Sequence, residues 1–186
     1  MYHVPYDGRL SAGFGCAGTL FFCDFNKPQL QQARATKKGA VLALLRHRQS
    51  QRSLLVVAAH PSVPLGPEGR ETPEVPVAEM KQLMLKVDEI YRWNQQWLGR
   101  FPWIFAGDLN SVHTTTVGAA APLVYYFMRT SGGLSSSYKH VLGREPPFTS
   151  VRPEFRHTID YILQSGAGLV RRSAVVHRAD QASVLI

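Results

Sequence analysis

Short apolar runs separated by polar or glycine-rich stretches fill the first third of the chain. Three of these runs, at 18–23, 40–45 and 54–59, have the length of buried β-strands. The polar stretch 46–53 joins the second run to the third, and this arrangement predicts a β-hairpin. Prolines recur between residues 61 and 76 and predict an extended loop after the third strand.

Apolar residues then recur at three- and four-residue steps over residues 77–98, which predicts an amphipathic helix. The expected apolar face is formed by Met80, Leu83, Met84, Val87, Ile90, Tyr91 and Trp97. Gly99 follows at a position where helices commonly end.

The rest of the chain predicts three more strands and a second helix. The strands are expected at 102–106, 158–163 and 168–176. The helix is expected to begin near Pro122 and to end near Arg129, before a pair of glycines. Strands that outnumber the helices in this order predict an α/β fold with a two-sheet core and outer helices.

Length and composition indicate one folded domain that spans residues 1–186. Hydrophobic residues make up 45% of the chain, as in ordinary globular proteins. The formal net charge is +8 and the isoelectric point about 9.8, so a polyanion such as RNA is the expected partner. A basic surface without any specific partner remains the alternative. No segment has the apolar length that spans a bilayer, so no membrane partner is expected.

Two cysteines, Cys16 and Cys23, are too few for a disulfide framework or a thiolate metal site. The N-terminus lacks the pattern of a secretory signal. We therefore expect a reducing intracellular compartment, either the cytoplasm or the mitochondrion.

The first candidate chemistry lies directly after the apolar run 103–106, in the sequence Gly107-Asp108-Leu109-Asn110-Ser111. Asp108 and Asn110, two residues apart at a strand end, can point to the same side of the backbone. A carboxylate can hold a metal or polarise water, and an amide can hydrogen-bond a phosphoryl oxygen. This pair favours phosphoester chemistry, although the same residues also form ordinary strand-to-turn exits.

Two further polar residues occupy comparable positions. His60 ends the run 54–59, and Asp160 is an acid within an apolar strand. We expect Asp160 to be buried, and a buried carboxylate needs a partner such as a histidine or a metal. Backbone groups could instead satisfy Asp160, and His60 could simply close a loop.

Four segments occur in an order that resembles the endonuclease/exonuclease/phosphatase superfamily. They are Val56-Val57-Ala58-Ala59-His60, Gly107-Asp108-Leu109-Asn110-Ser111, Glu145-Pro146-Pro147-Phe148-Thr149-Ser150 and Phe155-Arg156-His157-Thr158-Ile159-Asp160-Tyr161-Ile162. The last two are similar to the poly(A)-nuclease branch, which includes deadenylases, nocturnin and Angel proteins. The likeness covers most of residues 13–163.

This resemblance implies a partial four-layer α-β-β-α sandwich, with two packed mixed sheets, outer helices and no N-terminal strands. It implies Mg²⁺-dependent hydrolysis at an RNA 3′ end. By the same resemblance, Asp108 orients or activates water and Asp160 orients a histidine. Asn110 and His60 would bind the scissile phosphate.

The chain departs from the family pattern at several points. The family's first strands, with an Asn and a metal-binding Glu, have no counterpart here. Its terminal Ser-Asp-His is matched by Ala179-Asp180-Gln181. Asp180 and Asp108 are then the candidate metal ligands, but Gln181 cannot exchange a proton near neutral pH.

Two accounts follow from these departures. We favour a degenerate relative that binds RNA or serves as a structural subunit of a ribonucleoprotein, with weak Mg²⁺ binding or none. The alternative is a fragment of an active metal-dependent 3′–5′ exoribonuclease. The candidate RNA-binding residues are Lys37, Lys38, Arg152 and Arg156. A truncated sandwich would also need a protein partner over its exposed sheet edge.

Overall fold

A computed structural model describes residues 3–6, 16–24, 39–63, 74–114, 123–152 and 155–165. The backbone alone is described for the first two of these ranges. The strands are β1 (His3–Tyr6), β2 (Cys16–Asp24), β3 (Gly39–His47), β4 (Ser53–Ala59), β5 (Trp103–Asp108), β6 (Leu134–Ser136), β7 (Ser150–Arg152), β8 (Phe155–His157) and β9 (Asp160–Ser165). The helices are α1 (Glu74–Leu98), α2 (Leu123–Thr130) and α3 (Ser137–Leu142).

Seven of the described strands form one mixed sheet, in the order β1-β2-β3-β4-β5-β9-β6. Only β4 and β5 pair in parallel, and every other described pair is antiparallel. Parallel neighbours need a crossover, and α1 lies between β4 and β5 along the chain. Strands β7 and β8 form a separate hairpin.

The predicted α/β class and the hairpin of β3 with β4 are confirmed. Within the described residues the strands form one large sheet and one hairpin, so these residues supply one main sheet of the expected sandwich. The strand expected at 168–176 lies outside the described residues.

One face of the sheet carries the core. Leu42, Val57, Phe105 and Leu163 follow one another across the four central strands, and all are fully buried. Helices α1 and α2 pack on this face with an interior that includes Met80, Leu83, Ile90, Tyr125 and Met128. Alternate strand residues point to the other face, which is where Asp108 and Asp160 belong.

The helix predicted at 77–98 begins three residues earlier, at Glu74, and ends as expected before Gly99, whose φ is +64°. Trp97 was assigned to the apolar face, and this assignment is wrong because the residue is 77% exposed. In the last turn of α1 the residue that packs against the core is Leu98, and its neighbour Trp97 is turned toward solvent. None of the described helices has the length and hydropathy of a membrane-spanning segment.

The ends of two strands and the burial of Asp160 also differ from what the sequence predicts. Strand β5 runs on through Asp108, which is its last residue. Strand β9 begins at Asp160 instead of residue 158. Asp160 is therefore half-buried at a strand end, and the expectation of a buried carboxylate within a strand is wrong.

Candidate functional site

Three of the predicted site residues meet at one edge of the sheet. His60 directly follows β4, Asp108 ends β5, and Asp160 begins β9. Because β4 and β5 are parallel while β9 runs antiparallel to β5, the end of β4, the end of β5 and the start of β9 share that edge. The register of β5 and β9 places Asp108 directly opposite Asp160.

His60 and Asp108 are in side-chain contact. The Nε2 atom of His60 lies 3.6 Å from Oδ2 of Asp108, a distance at which a protonated imidazole forms an ion pair with the carboxylate. The His60 side chain is 55% exposed and that of Asp108 is 26% exposed. The pair is therefore held by the fold on one side and open to a ligand on the other.

Asn110 is placed differently from the expectation drawn from strand spacing. The residue lies beyond the end of β5 and has a left-handed backbone, with φ +49°. Its backbone N–H donates to Oδ1 of Asp108 at 2.7 Å, and its side-chain Nδ2 donates to the carbonyl of Pro61 at 2.9 Å. Asn110 thus ties the loop after β5 to the loop that follows His60.

A close packing contact brings β4 and β5 together beside these residues. A Cβ atom on Gly107 would lie 2.1 Å from the carbonyl oxygen of Ala59. Only glycine fits at this point, because real Cβ atoms do not approach backbone oxygen so closely. Ala59 precedes His60 and Gly107 precedes Asp108, so this glycine sets how closely the two candidate residues approach each other.

The two motifs nearest the C-terminal end of the described chain bind each other. The Thr149 hydroxyl accepts hydrogen bonds from the backbone N–H groups of Ile159 and Asp160, at 3.1 and 3.0 Å. The hydroxyl of Thr158 donates to the carbonyl of Pro146 at 2.6 Å. The start of β9, and with it Asp160, is therefore fixed by the segment that precedes β7.

A buried tyrosine connects the segments around Asp108 and Asp160. The Tyr161 hydroxyl lies 2.7 Å from the carbonyl oxygen of Thr158 and 3.0 Å from that of Ser111, and its proton is shared between these two acceptors. Burial raises the pKa of Tyr161 well above its usual range, with the nearby acids adding to the shift. The hydroxyl therefore keeps its proton and remains a donor.

A second buried hydrogen-bond network, around Glu145, lies next to the same region. The carboxylate of Glu145, only 6% exposed as a residue, accepts hydrogen bonds from Tyr125 at 2.6 Å and from Ser136 at 2.8 Å. Burial, and next the hydrogen bond to Glu145, raise the pKa of Tyr125 above its ordinary value. Both networks reach Ser111, because its hydroxyl accepts the Tyr125 backbone N–H at 3.2 Å.

Sequence reasoning missed two contributors next to His60. Glu79 on α1 is 2% exposed and binds Ser62, two residues beyond His60. A signal was present, because Glu79 lies three residues after Pro76 and four before Leu83, at the spacing of the apolar face. An acid at such a position indicates a buried partner.

The other predicted residues are not brought to this edge by the described structure. Lys37, Lys38 and Asp180 lie outside the described residues. Arg152 ends β7, where its backbone alone is described. Arg156 is exposed on β8, with its guanidinium carbon 5.4 Å from the centre of the Phe148 ring.

The opposed carboxylates of Asp108 and Asp160 are the oxygen donors that Mg²⁺ prefers, and this ion is often held by only one or two carboxylates together with waters and substrate phosphates. The donor set is therefore chemically suited to a loosely held ion. No group of three or more His, Cys, Asp or Glu residues with metal-binding geometry occurs among the residues that the structure covers.

Solved structures share this fold. The human nocturnin catalytic domain with a bound sulfate anion is 23% identical, with a TM-score of 0.57 over 79% of this chain and 47% of that one. ANGEL2, a 2′,3′-cyclic phosphatase in complex with adenosine-2′,3′-vanadate, is 15% identical, with a TM-score of 0.58 over 82% and 56%. A mannosyl-6-phosphatase of Bacteroides thetaiotaomicron is 15% identical, with a TM-score of 0.53 over 88% and 59%.

The chain spans about half the length of these solved structures. None of the curated proteins matches it by sequence. The model of the Endonuclease/Exonuclease/phosphatase family matches residues 27–183, which is most of the chain. The chain therefore belongs to the Endonuclease/Exonuclease/phosphatase family.

Proposed function

We propose that this chain carries a divalent-metal-dependent site that hydrolyses phosphodiesters at RNA 3′ ends. The observation that carries the proposal is the meeting of His60, Asp108 and Asp160 at one sheet edge, with Asp108 opposite Asp160 and 3.6 Å from His60. These residues lie in or directly after three separate strands, so their proximity is a product of the fold and not of sequence adjacency.

The charge of the site favours hydrolysis over simple phosphate binding. Two neighbouring carboxylates repel each other and also repel an anionic phosphate. Asp108 and Asp160 would hold a divalent cation, which would offset this repulsion and supply Lewis-acid stabilisation of negative charge on a phosphoryl oxygen. Opposed acids beside an exposed histidine are thus suited to a metal-dependent reaction.

Each residue has a definite role in this proposal. Asp108 orients the attacking water and would hold the metal. Asp160, for which the family resemblance implies the orientation of a histidine, lies opposite Asp108 and is here proposed as a second carboxylate ligand in place of Asp180. His60 is more than half exposed, and its imidazole is proposed to donate a hydrogen bond to the scissile phosphate. Asn110 holds the loop after His60 through Pro61, and the second hydrogen of its amide can serve the same phosphate.

Two observations favour RNA as the substrate class: the positive net charge of the chain and the ligands in the similar solved structures. The net charge of +8 suits a polyanion, and the nocturnin and ANGEL2 structures each contain a phosphate-like anion, one of them attached to adenosine. A sugar phosphatase shares the fold as well, so likeness of fold does not select the substrate by itself.

The test is hydrolysis of a 5′-labelled oligo(A) by the purified chain, in Mg²⁺ or Mn²⁺ and in EDTA. We expect shortened products with metal, none with EDTA, and none from Asp108→Asn, which removes the acid but keeps the shape. Asp88→Asn, an equivalent change on the exposed side of α1, should cleave like the wild type. Products that persist in Asp108→Asn would remove this residue from the reaction.

A second function is favoured by one specific residue. Gln181 stands where the family carries its terminal histidine, and an amide cannot transfer a proton. On that basis the chain is a degenerate relative that binds RNA, or a structural subunit of a ribonucleoprotein, without hydrolysis. The same assay separates the two functions, since this one predicts salt-dependent RNA binding with no products.

A protein partner belongs to the proposal as well. The sheet face opposite the core carries apolar residues such as Val41 and Ile162, which are 41% and 40% exposed. Exposed apolar area of this kind is commonly covered by another layer or another chain. We place the domain in a reducing compartment, the cytoplasm or the mitochondrion.

A further inference from the structure

Glu79 is a buried acid on the side of α1 that faces the core. It is 2% exposed and has Met80 and Leu83 as buried neighbours on the same helix. Taking a carboxylate out of water is costly, and an apolar side chain at this position would fill the core without that cost. A carboxylate buried here therefore needs groups that donate hydrogen bonds to it.

The partner is the segment directly after His60. The backbone N–H of Ser62 donates to Oε2 of Glu79 at 2.6 Å, and the Ser62 hydroxyl donates to Oε1 at 2.8 Å. Both carboxylate oxygens therefore bind one residue, which lies 17 positions away along the chain. Two charge-assisted hydrogen bonds to a single residue fix its position and its orientation.

The same segment is held from its other side. Asn110, which follows β5, donates its side-chain amide to the carbonyl of Pro61 at 2.9 Å. Consecutive residues 61 and 62 are thus fastened to two different elements, α1 and the loop after β5. His60 is the next residue toward the N-terminus, so this double attachment limits where its ring can lie.

We propose that Glu79 is a positioning residue that holds His60 against Asp108 by anchoring Ser62. This inference rests on the proposed function only where it predicts that variants of Glu79 change the rate of the reaction. The structural part, that Glu79 controls the place of the His60 ring, is independent of any reaction. In this proposal Glu79 acts on His60 through its two hydrogen bonds to Ser62.

The chain offers graded variants for the test. Glu79→Ala removes both acceptors. Glu79→Gln keeps one carbonyl for the Ser62 N–H, and its NH₂ group can donate to the Ser62 hydroxyl oxygen, so it should rescue most of the effect. Ser62→Ala removes one hydrogen bond from the loop side and leaves the core of α1 intact. Asp88→Asn, on the exposed side of the same helix, is the matched control.

The first readout does not depend on activity. We expect the NMR signals of the His60 ring to shift and broaden in Glu79→Ala and, to a smaller extent, in Ser62→Ala. The ring signals of His47 and His157 should stay as in the wild type, and Asp88→Asn should change none of them. Unchanged His60 signals in both Ser62→Ala and a folded Glu79 variant would overturn the proposal.

The second readout uses oligo(A) hydrolysis. Displacement of a binding group by about 1 Å can cost about 100-fold in rate, so Glu79→Ala should lower kcat by a factor of that order and change KM less. In a His60→Ala background the same substitution should have no further effect on kcat, because Glu79 acts through His60. An undiminished loss of kcat in that background would show a general structural role and contradict the proposal.

The two readouts separate the two possible failures. If the wild type cleaves no oligo(A) while the His60 signals respond to Glu79 and Ser62, the proposed function fails and the positioning role stands. If the wild type cleaves but the His60 signals and the double-variant cycle show no link, the positioning role fails alone.

Discussion

Asp108 and Asp160 lie directly opposite each other where β5 pairs with β9. Side chains opposite each other in an antiparallel pair share one face of the sheet, so two acids are held side by side. The β5–β9 register therefore concentrates negative charge at the edge where His60 also lies.

The repulsion between these acids should be measurable as stability. Like charges opposite each other oppose the pairing of strands, with effects of roughly 0.2–1 kcal/mol, so Asp160→Asn should raise the free energy of unfolding in EDTA by about 0.5 kcal/mol. Millimolar Mg²⁺ should stabilise the wild type by mass action and stabilise Asp160→Asn less. Urea unfolding of both proteins, with and without Mg²⁺, measures this. A variant less stable than the wild type in EDTA would contradict it.

Gly107 should tolerate no side chain. Because a Cβ there would lie 2.1 Å from the Ala59 carbonyl oxygen, β4 and β5 would have to separate. Overpacking against an immobile backbone costs about 3 kcal/mol, so Gly107→Ala should lower the free energy of unfolding by that amount. Gly99→Ala is the control, since Gly99 has φ +64° and open space, and should cost only about 1 kcal/mol. Equal losses would refute the role of the close contact.

Stability should fall on acidification because of His113. Burial lowers the pKa of this histidine below its ordinary value of 6.5, the charge of Glu145 opposes the shift, and the charge of Lys139 adds to it. As the pH falls below 6.5, the unfolded chain therefore takes up a proton at His113 more readily than the folded chain does. The contribution of His113 to the free energy of unfolding is present in full above pH 6.5 and is lost as the pH falls below that value. Urea midpoints between pH 8 and pH 5 should decline less steeply in His113→Gln. An identical decline would show that another group is responsible.

Arg156 should contribute to RNA binding through charge. Its guanidinium carbon lies 5.4 Å from the Phe148 ring on an exposed hairpin, where a phosphate can approach. If it contacts one phosphate, Arg156→Ala should reduce the slope of log K against log salt by about 0.7 for single-stranded RNA. Arg92→Ala removes the same charge from exposed α1 and should leave the slope unchanged. Fluorescence anisotropy at several salt concentrations decides between these outcomes.

The sequence was sufficient to predict the elements that build the site. Apolar runs predicted β3, β4 and β5, and the polar residues at the ends of β4 and β5 were recognised as candidates from their positions in the sequence. Helical spacing located α1 and α2, because both have one face in the core. These predictions depend on local periodicity, which a single sequence records well.

Other features depend on contacts between distant residues and could not be predicted. The bond between Ser62 and Glu79 joins residues that are far apart along the chain, and Asn110 lies beyond the end of β5 with a left-handed backbone, where strand spacing no longer applies. Strand β6 and helix α3 are three and six residues long, too short for a periodic signal. Trp97 shows a different error, because the spacing assigned it to the apolar face, whereas Leu98, the next residue, is the one that packs against the core.

We propose that Asp108 and Asp160 hold one divalent ion beside His60. The most direct measurement is an anomalous diffraction map from crystals of the chain soaked in Mn²⁺. We expect an Mn²⁺ peak within ligand distance of both carboxylates, and we expect that peak to be lost in Asp108→Asn. Saturating Mn²⁺ that leaves these two acids without an ion, or that binds only elsewhere, would contradict it.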